Sequence, residues 1–269
     1  MIPYVLIWGG GDLATGVAIR LHRVGIRILV VETHRPLAVR RTVSFAQAVY
    51  DGEVEIEDIT GCLIDSPDRL DEVWENRKVP VIVDPDLALL EQFPPLALID
   101  ARMRKKNVKL SMDLAPLVVG LGPGFTAGEN CHAAVETNRG HFLGRVCWEC
   151  SPEADTGIPG SVQNYASERV LHAPVSGQVT AAVKIGDWVE KDELIMQIDG
   201  TEIRASFSGL VRGLIYPGLH VEKGVKVGDI DPRNEPFRCW YVSDKSLAIG
   251  GGALEALLTH EMIREQLWV

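Results

Sequence analysis

Little in this sequence supports a disulfide-stapled, membrane-spanning or nucleic-acid-binding protein. Five cysteines in 269 residues make no disulfide framework. Apolar runs stay under ten residues, too short to cross a bilayer. Basic residues are outnumbered, 27 Lys+Arg against 37 Asp+Glu, for a net charge of −10. A polyanion needs many phosphate contacts, so neither nucleic acid nor a membrane is expected as a partner. There is no G-x-S-x-G elbow, no serine–histidine–acid order and no second C-x-x-C to complete a zinc site. The N-terminal "MIPYVLIWGG" lacks a basic n-region and runs straight into glycines, so it reads as a strand and not a signal peptide. A soluble, cytoplasmic protein is expected.

What is present begins at that turn. Tyr4–Trp8 reads as a strand, Asp12–Val24 as a helix by the spacing of Leu13, Val17, Leu21 and Val24, and Ile26–Val31 as a buried strand. Further strands are expected at Val79–Val83, Leu96–Asp100 and Pro116–Leu121, with a helix at Pro67–Arg77. This alternation predicts an α/β fold, a Rossmann-like doubly wound domain over residues 1–150. The polar stretch 151–167 reads as a connector. Short strands punctuated by glycine then predict an all-β barrel-sandwich hybrid, biotinyl/lipoyl-like, over 168–232. Residues 233–269 form a tail with a helix from about Ala253.

Gly9, Gly11 and Ala14 fit G-x-G-x-x-A, and Glu32 closes the second strand where an acid commonly bonds a ribose hydroxyl. A nucleotide site and a purely structural turn both remain open, because Asp12 would repel a phosphate unless it caps the helix or meets a cation. A second loop, "GLGPGFTAGEN", sets Gly120, Gly122, Gly124 and Gly128 after a strand, with a short helix expected to follow. Such a loop offers N–H groups to an anion but lacks the Walker lysine. Glu136, Asn138, Arg139 and His141 follow as a polar cluster, either ligand-binding or a solvated turn. Arg35, Arg40 and Arg41, and then Arg102, Arg104, Lys105 and Lys106, are local basic clusters; solvated faces are the default reading, and their position after strands keeps a phosphate clamp open. Such clusters in an acidic chain suit a small anionic ligand.

Cys147 and Cys150 form "CWEC", for which a redox or metal role is the less favoured reading; Cys131, beside the second loop, reads as a small buried thiol or a reactive one. A swinging-arm carrier needs a lysine at the hairpin tip, and Asp199–Thr201 has none. The catalytic residues stay unassigned and no metal site is expected.

Seven stretches together resemble the YqeB family, accessory proteins of selenium-dependent molybdenum hydroxylases: "GGGDLATGVAIRLHRVG", "PLAVRRTVSFAQAVYDG", "GLGPGFTAG", "ETNRGHFLGRV", "GIPG", "VKVGDIDPR" and "SDK". The resemblance implies association with a maturing xanthine-dehydrogenase-like enzyme, and hence a molybdopterin-type cofactor or its dinucleotide form as ligand. Gly9, Gly11 and the Gly120–Gly128 loop would meet phosphates and Glu32 a ribose, with Arg40, Arg41, Arg102 and Arg139 as charge partners. The alternatives are an NAD(P)-dependent oxidoreductase acting in selenium or sulfur insertion, and a pure assembly chaperone.

Overall fold

The computed structural model describes residues 2–104, 110–157, 162–163 and 165–268. Two compact units alternate along the chain: Met1–Pro36, Ser44–Asp155 and Val242–Val269 form the first, Leu37–Val43 and Thr156–Tyr241 the second. The units are thus not consecutive stretches of sequence.

The first unit is built on a nine-stranded sheet. Its strands are β1 (Val5–Trp8), β2 (Ile28–Glu32), β3 (Glu53–Ile56), β4 (Ile59–Ile64), β5 (Val79–Val83), β6 (Ala97–Asp100), β7 (Leu117–Leu121), β8 (Ala133–Val135) and β9 (Val146–Cys147). They lie in the order β3-β4-β5-β2-β1-β6-β7-β8-β9. The β3–β4 and β8–β9 pairs are antiparallel and the remaining pairs parallel. Central strands such as "VLIW" and "LVVGL" are nearly unbroken apolar runs because side chains on both faces are covered. Leu6, Leu98 and Val118 are fully buried on neighbouring strands, each contributing about 2 kcal/mol by leaving water.

Helices α1 (Asp12–Arg23), α2 (Ala48–Asp51), α3 (Leu70–Glu75), α4 (Asp244–Thr259) and α5 (Glu261–Gln266) complete this unit. Helix α4 starts well before the expected Ala253, with Ser243 Oγ accepting from the Ser246 amide at 3.1 Å as its cap. The run Gly250–Gly252 therefore lies inside a helix, where each glycine costs about 1 kcal/mol relative to alanine. Packing explains its presence. A Cβ on Gly250 would fall 2.6 Å from the Gly16 carbonyl oxygen, and one on Gly16 2.4 Å from that of Ser246. Helices α1 and α4 meet backbone to backbone.

The second unit consists of β10 (Val170–His172), β11 (Gly177–Ala181), β12 (Trp188–Val189), β13 (Leu194–Ile198), β14 (Thr201–Arg204), β15 (Gly209–Leu214), β16 (His220–Val221) and β17 (Lys226–Asp231). They form two four-stranded antiparallel sheets, β10-β17-β15-β12 and β14-β13-β11-β16. Asp199 and Gly200, with φ of 43° and 80°, make the two-residue turn of the β13–β14 hairpin.

These findings correct the expected fold class. The first unit is not a doubly wound Rossmann-like domain. Its sheet is mixed, and among the described residues the crossings from β5 to β6 and from β6 to β7 carry only the 3-10 turns Ala88–Glu91 and Met112–Leu114. The first crossing, "DPDLALLEQFPP", is too short and too proline-broken for a covering helix. The strand count also hid the pairing of the second unit, whose two distinct sheets do not make a clear barrel-sandwich hybrid. Nor does a helix follow the second glycine loop; β8 does, hydrogen-bonded beside β7.

Candidate functional site

At the carboxyl edge of the large sheet, register brings three expected features into line. Trp8 pairs with Asp100, and Asp100 with Gly120, across β1, β6 and β7. The two glycine loops therefore leave strands separated only by β6, about 10 Å apart by strand spacing.

The first loop is tied down at two of its three glycines. The Gly9 amide donates to the Val31 carbonyl at 2.7 Å, and the Gly10 amide to Glu32 Oε1 at 2.8 Å. Glu32 Oε2 accepts from the Thr33 amide at 2.7 Å. The acid expected to hold a ribose thus holds the main chain of the turn. Gly11 differs: nothing lies within 4 Å of where its Cβ would stand, and no side chain caps the helix it opens. The first-turn amides of α1 carry partial positive charge there. Ala14 is buried, as close packing of helix and strand requires.

The second loop is closed on itself. Gly122 donates to Val135 O at 2.9 Å and Gly128 to Cys131 O at 2.9 Å. Asn130 holds the bend from inside: its Oδ1 accepts from the Thr126 amide at 2.8 Å and its Nδ2 donates to Gly124 O at 3.0 Å. Phe125, 1% exposed, lies over Gly120, where a Cβ would stand 2.1 Å from the ring. Sequence reading passed over Phe125, although a lone aromatic among glycines was the signal. In this loop the glycines make room for a ring.

Between the loops sits Arg102. Its Nε donates to Asp100 Oδ1 at 2.9 Å and its Nη2 to Oδ2 at 2.5 Å, and the Asp100 side chain is wholly buried. The guanidinium lies 3.1 Å above the centre of the Trp8 ring. Carboxylate and indole hold its plane, while among the described residues nothing accepts from Nη1. The pair can present two N–H donors to an anion at the sheet edge.

Other expected site residues have partners within the protein. Arg40 and Arg41 belong to the second unit. Arg40 Nη2 donates to Arg238 O at 3.0 Å, and Arg41 Nε to Leu214 O at 2.7 Å. Near Arg40, Arg169 pairs with Asp229 at 3.0 Å and Arg233 with Asp231 at 2.6 Å. Burial works to raise the Asp231 carboxyl, but the hydrogen bonds and charge of Arg233 outweigh it and leave its pKa lowered. Arg139 makes a two-pronged pair with Asp244 at 2.8 and 2.9 Å. Glu136 is buried and accepts from the Asn138 and Glu153 amides at 2.6 Å each. These are structural ties. Lys105 and Lys106 lie outside the described residues.

Cys147 and Cys150 are joined in a disulfide. Cys62, Cys131 and Cys239 are buried free thiols, and burial pushes Cys131 up to about 11, so it is not a nucleophile at neutral pH. Among the described residues no group of three or more His, Cys, Asp or Glu could hold a metal, and no helix is long and apolar enough to cross a membrane.

No family model matches the chain. It is 45% identical over 254 residues, 94% of its length, to "uncharacterized protein YqeB" of Escherichia coli K12, and spans 47% of that relative's length. Solved structures similar to it include an aspartoacylase family protein of Mesorhizobium loti, at 11% identity, 87% coverage of each chain and a TM-score of 0.27. A succinylglutamate desuccinylase of Silicibacter sp. TM1040 follows at 12% identity, covering 85% of this chain and 84% of that one, with a TM-score of 0.25. Scores of this size do not establish a shared fold.

Proposed function

We propose, starting from membership of the YqeB family over the region shared with that relative, that this protein is an accessory factor in the maturation of molybdenum hydroxylases. It binds a phosphorylated or dinucleotide ligand of the molybdopterin type and presents it to the apo-enzyme. The maturation part of this reading is supported by the family resemblance. The binding part is supported by one observation: Arg102, braced by Asp100 and Trp8, keeps Nη1 unengaged among the described residues, and its main-chain nitrogen lies 3.3 Å from where a Cβ on Gly9 would stand. The ligand's anionic group would sit between the α1 N-terminus and Arg102, with its ring system outside the sheet edge. Calorimetry on the purified chain tests this. Heat with a cytidine or guanosine dinucleotide that disappears in Arg102→Ala supports the reading, and silence with every nucleotide and pterin at high micromolar concentration rejects it.

One observation favours a second reading, an NAD(P)-dependent oxidoreductase in selenium or sulfur insertion: the Cys147–Cys150 disulfide, with Cys150 exposed. That reading requires NADPH-dependent loss of the disulfide. A thiol count unchanged by NADPH removes it.

A further inference from the structure

The opposite, amino-terminal edge of the nine-stranded sheet carries a cleft that none of these roles uses. It lies where α1 and α3 end and β2 and β5 begin, and it has a volume of about 270 Å³. His22, Arg27, Arg77, Lys78, Trp74 and Trp268 line it, with no Asp or Glu among the lining residues. We propose that this cleft binds a small planar anion, a heterocyclic ring carrying a phosphate group. The proposal stands independently of the carboxyl-edge reading.

Three observations carry it. The first is charge. The chain as a whole is at −10, yet three fixed cations meet here. Helix carboxyl ends attract cations by themselves, and Arg27 and Lys78 have partners of their own, so Arg77 is the cation left for a ligand. Lys78 is paired with Glu53 at 2.6 Å, whereas among the described residues no carboxylate or other acceptor bonds the Arg77 guanidinium.

The second is backbone conformation. Helix α1 ends with the Gly25 amide on His22 O and the Ile26 amide on Leu21 O, both at 3.0 Å, and Gly25 at φ +83°. Helix α3 ends in the same pattern, Arg77 on Trp74 O at 2.9 Å and Lys78 on Val73 O at 3.0 Å, but with Arg77 at φ +55°. Glycine is the residue this position favours. An arginine there keeps a local strain and delivers a guanidinium to the cleft mouth.

The third is the pair of indoles. Trp74 Nε1 donates to Ile28 O at 2.8 Å and Trp268 Nε1 to Val24 O at 3.0 Å. Their polar edges are satisfied by main chain, which fixes both rings; Trp74 is packed against Tyr4 at 5.7 Å as part of the cleft wall, while Trp268, 54% exposed, offers its ring for stacking. Burial, and then the Arg77 charge, hold the His22 imidazole below its ordinary pKa, so it serves as a neutral hydrogen-bonding group. The volume, near the small end of ligand clefts at roughly 300 Å³, suits one ring with one phosphate and not a dinucleotide.

The test uses the full chain at low salt, following tryptophan fluorescence and heat with GMP, guanosine and ribose 5-phosphate. GMP is expected to bind more tightly than either fragment. Arg77→Gly is expected to raise the thermal midpoint, because glycine relieves the positive φ, while weakening GMP at least about tenfold. Trp268→Ala is expected to weaken GMP and leave ribose 5-phosphate unchanged. Equal GMP affinity in the Arg77→Gly variant overturns the proposal, as does guanosine binding as tightly as GMP, or no GMP binding up to about 5 mM.

Discussion

The two loops are both glycine-rich and lie at the same edge of one sheet, yet they do opposite things. At Gly9–Gly11 the chain turns from β1 into α1, and Gly11 faces open space beyond the helix start. At Gly120–Gly128 the chain closes over Phe125, and the amides of Gly122, Thr126, Ala127 and Gly128 are taken by the protein's own carbonyls and by Asn130. Glycine can be required because a ligand must reach the backbone or because a side chain must. Only the nearest atoms distinguish the two. The comparison also explains why Arg102, just past the end of β6 between the loops, carries the binding proposal: the second loop has few amides left to offer.

Substitutions can break this contrast. Gly120→Ala places a methyl against the Phe125 ring, where the gap to the Cβ position is 2.1 Å; a loss of about 3 kcal/mol is expected in urea unfolding. A loss under about 0.5 kcal/mol would mean that Phe125 moves freely and the loop is not closed. Arg102→Ala should cost about 2 kcal/mol of ligand affinity, roughly thirtyfold, in the calorimetry described above. Urea unfolding of the same variant should show a loss of about 3 kcal/mol, because the wholly buried Asp100 carboxylate is left without its partner, so affinity is compared at a temperature where the variant is folded.

A pH series sharpens the contrast from the side of the second loop. His132 Nδ1 accepts from the Val118 amide at 2.9 Å and so must be neutral. Burial, and then the His260 charge, lower its pKa. A histidine lowered on folding contributes stability above its unfolded value, about 6.5, that is lost as pH falls towards the folded value. The urea midpoint should therefore fall from pH 7 to pH 5.5, with a shallower slope in His132→Gln. Some slope should remain, because His22 is lowered as well. The smallest effect belongs to Gly11→Ala. Its φ of −67° suits any residue and no atom meets the new methyl, so stability should stay within about 0.5 kcal/mol while ligand binding weakens. A large loss of stability at this position would show that the first loop too is filled.

Much of the local structure was legible in the residues. Val79–Val83 and Leu194–Ile198 read as strands and are strands over those residues. The Asp-Gly turn marked the β13–β14 hairpin, and the spacing of Val17 and Leu21 marked α1. Other elements were misread for identifiable reasons. The run Gly250–Gly252 argued against a helix by propensity, and contact with Gly16 and Gly144 overrode it. The bond from the Gly10 amide to Glu32, 22 residues away, could not be placed from spacing. That Leu37–Val43, with Arg40 and Arg41, belongs to the second unit could not be read from the sequence.

The residues by themselves determined where strands, turns and the first helix form, because hydrophobic periodicity and the special backbone demands of glycine act over a few neighbours. Sheet order, the interleaving of the two units, the covering of the second loop by Phe125 and the bracing of Arg102 on Trp8 were decided only by tertiary structure. Each depends on which atoms meet across long separations in the chain. Whether a backbone amide is free or spent is a property of that meeting, so a glycine pattern can mark a turn without telling whether the turn is open or filled.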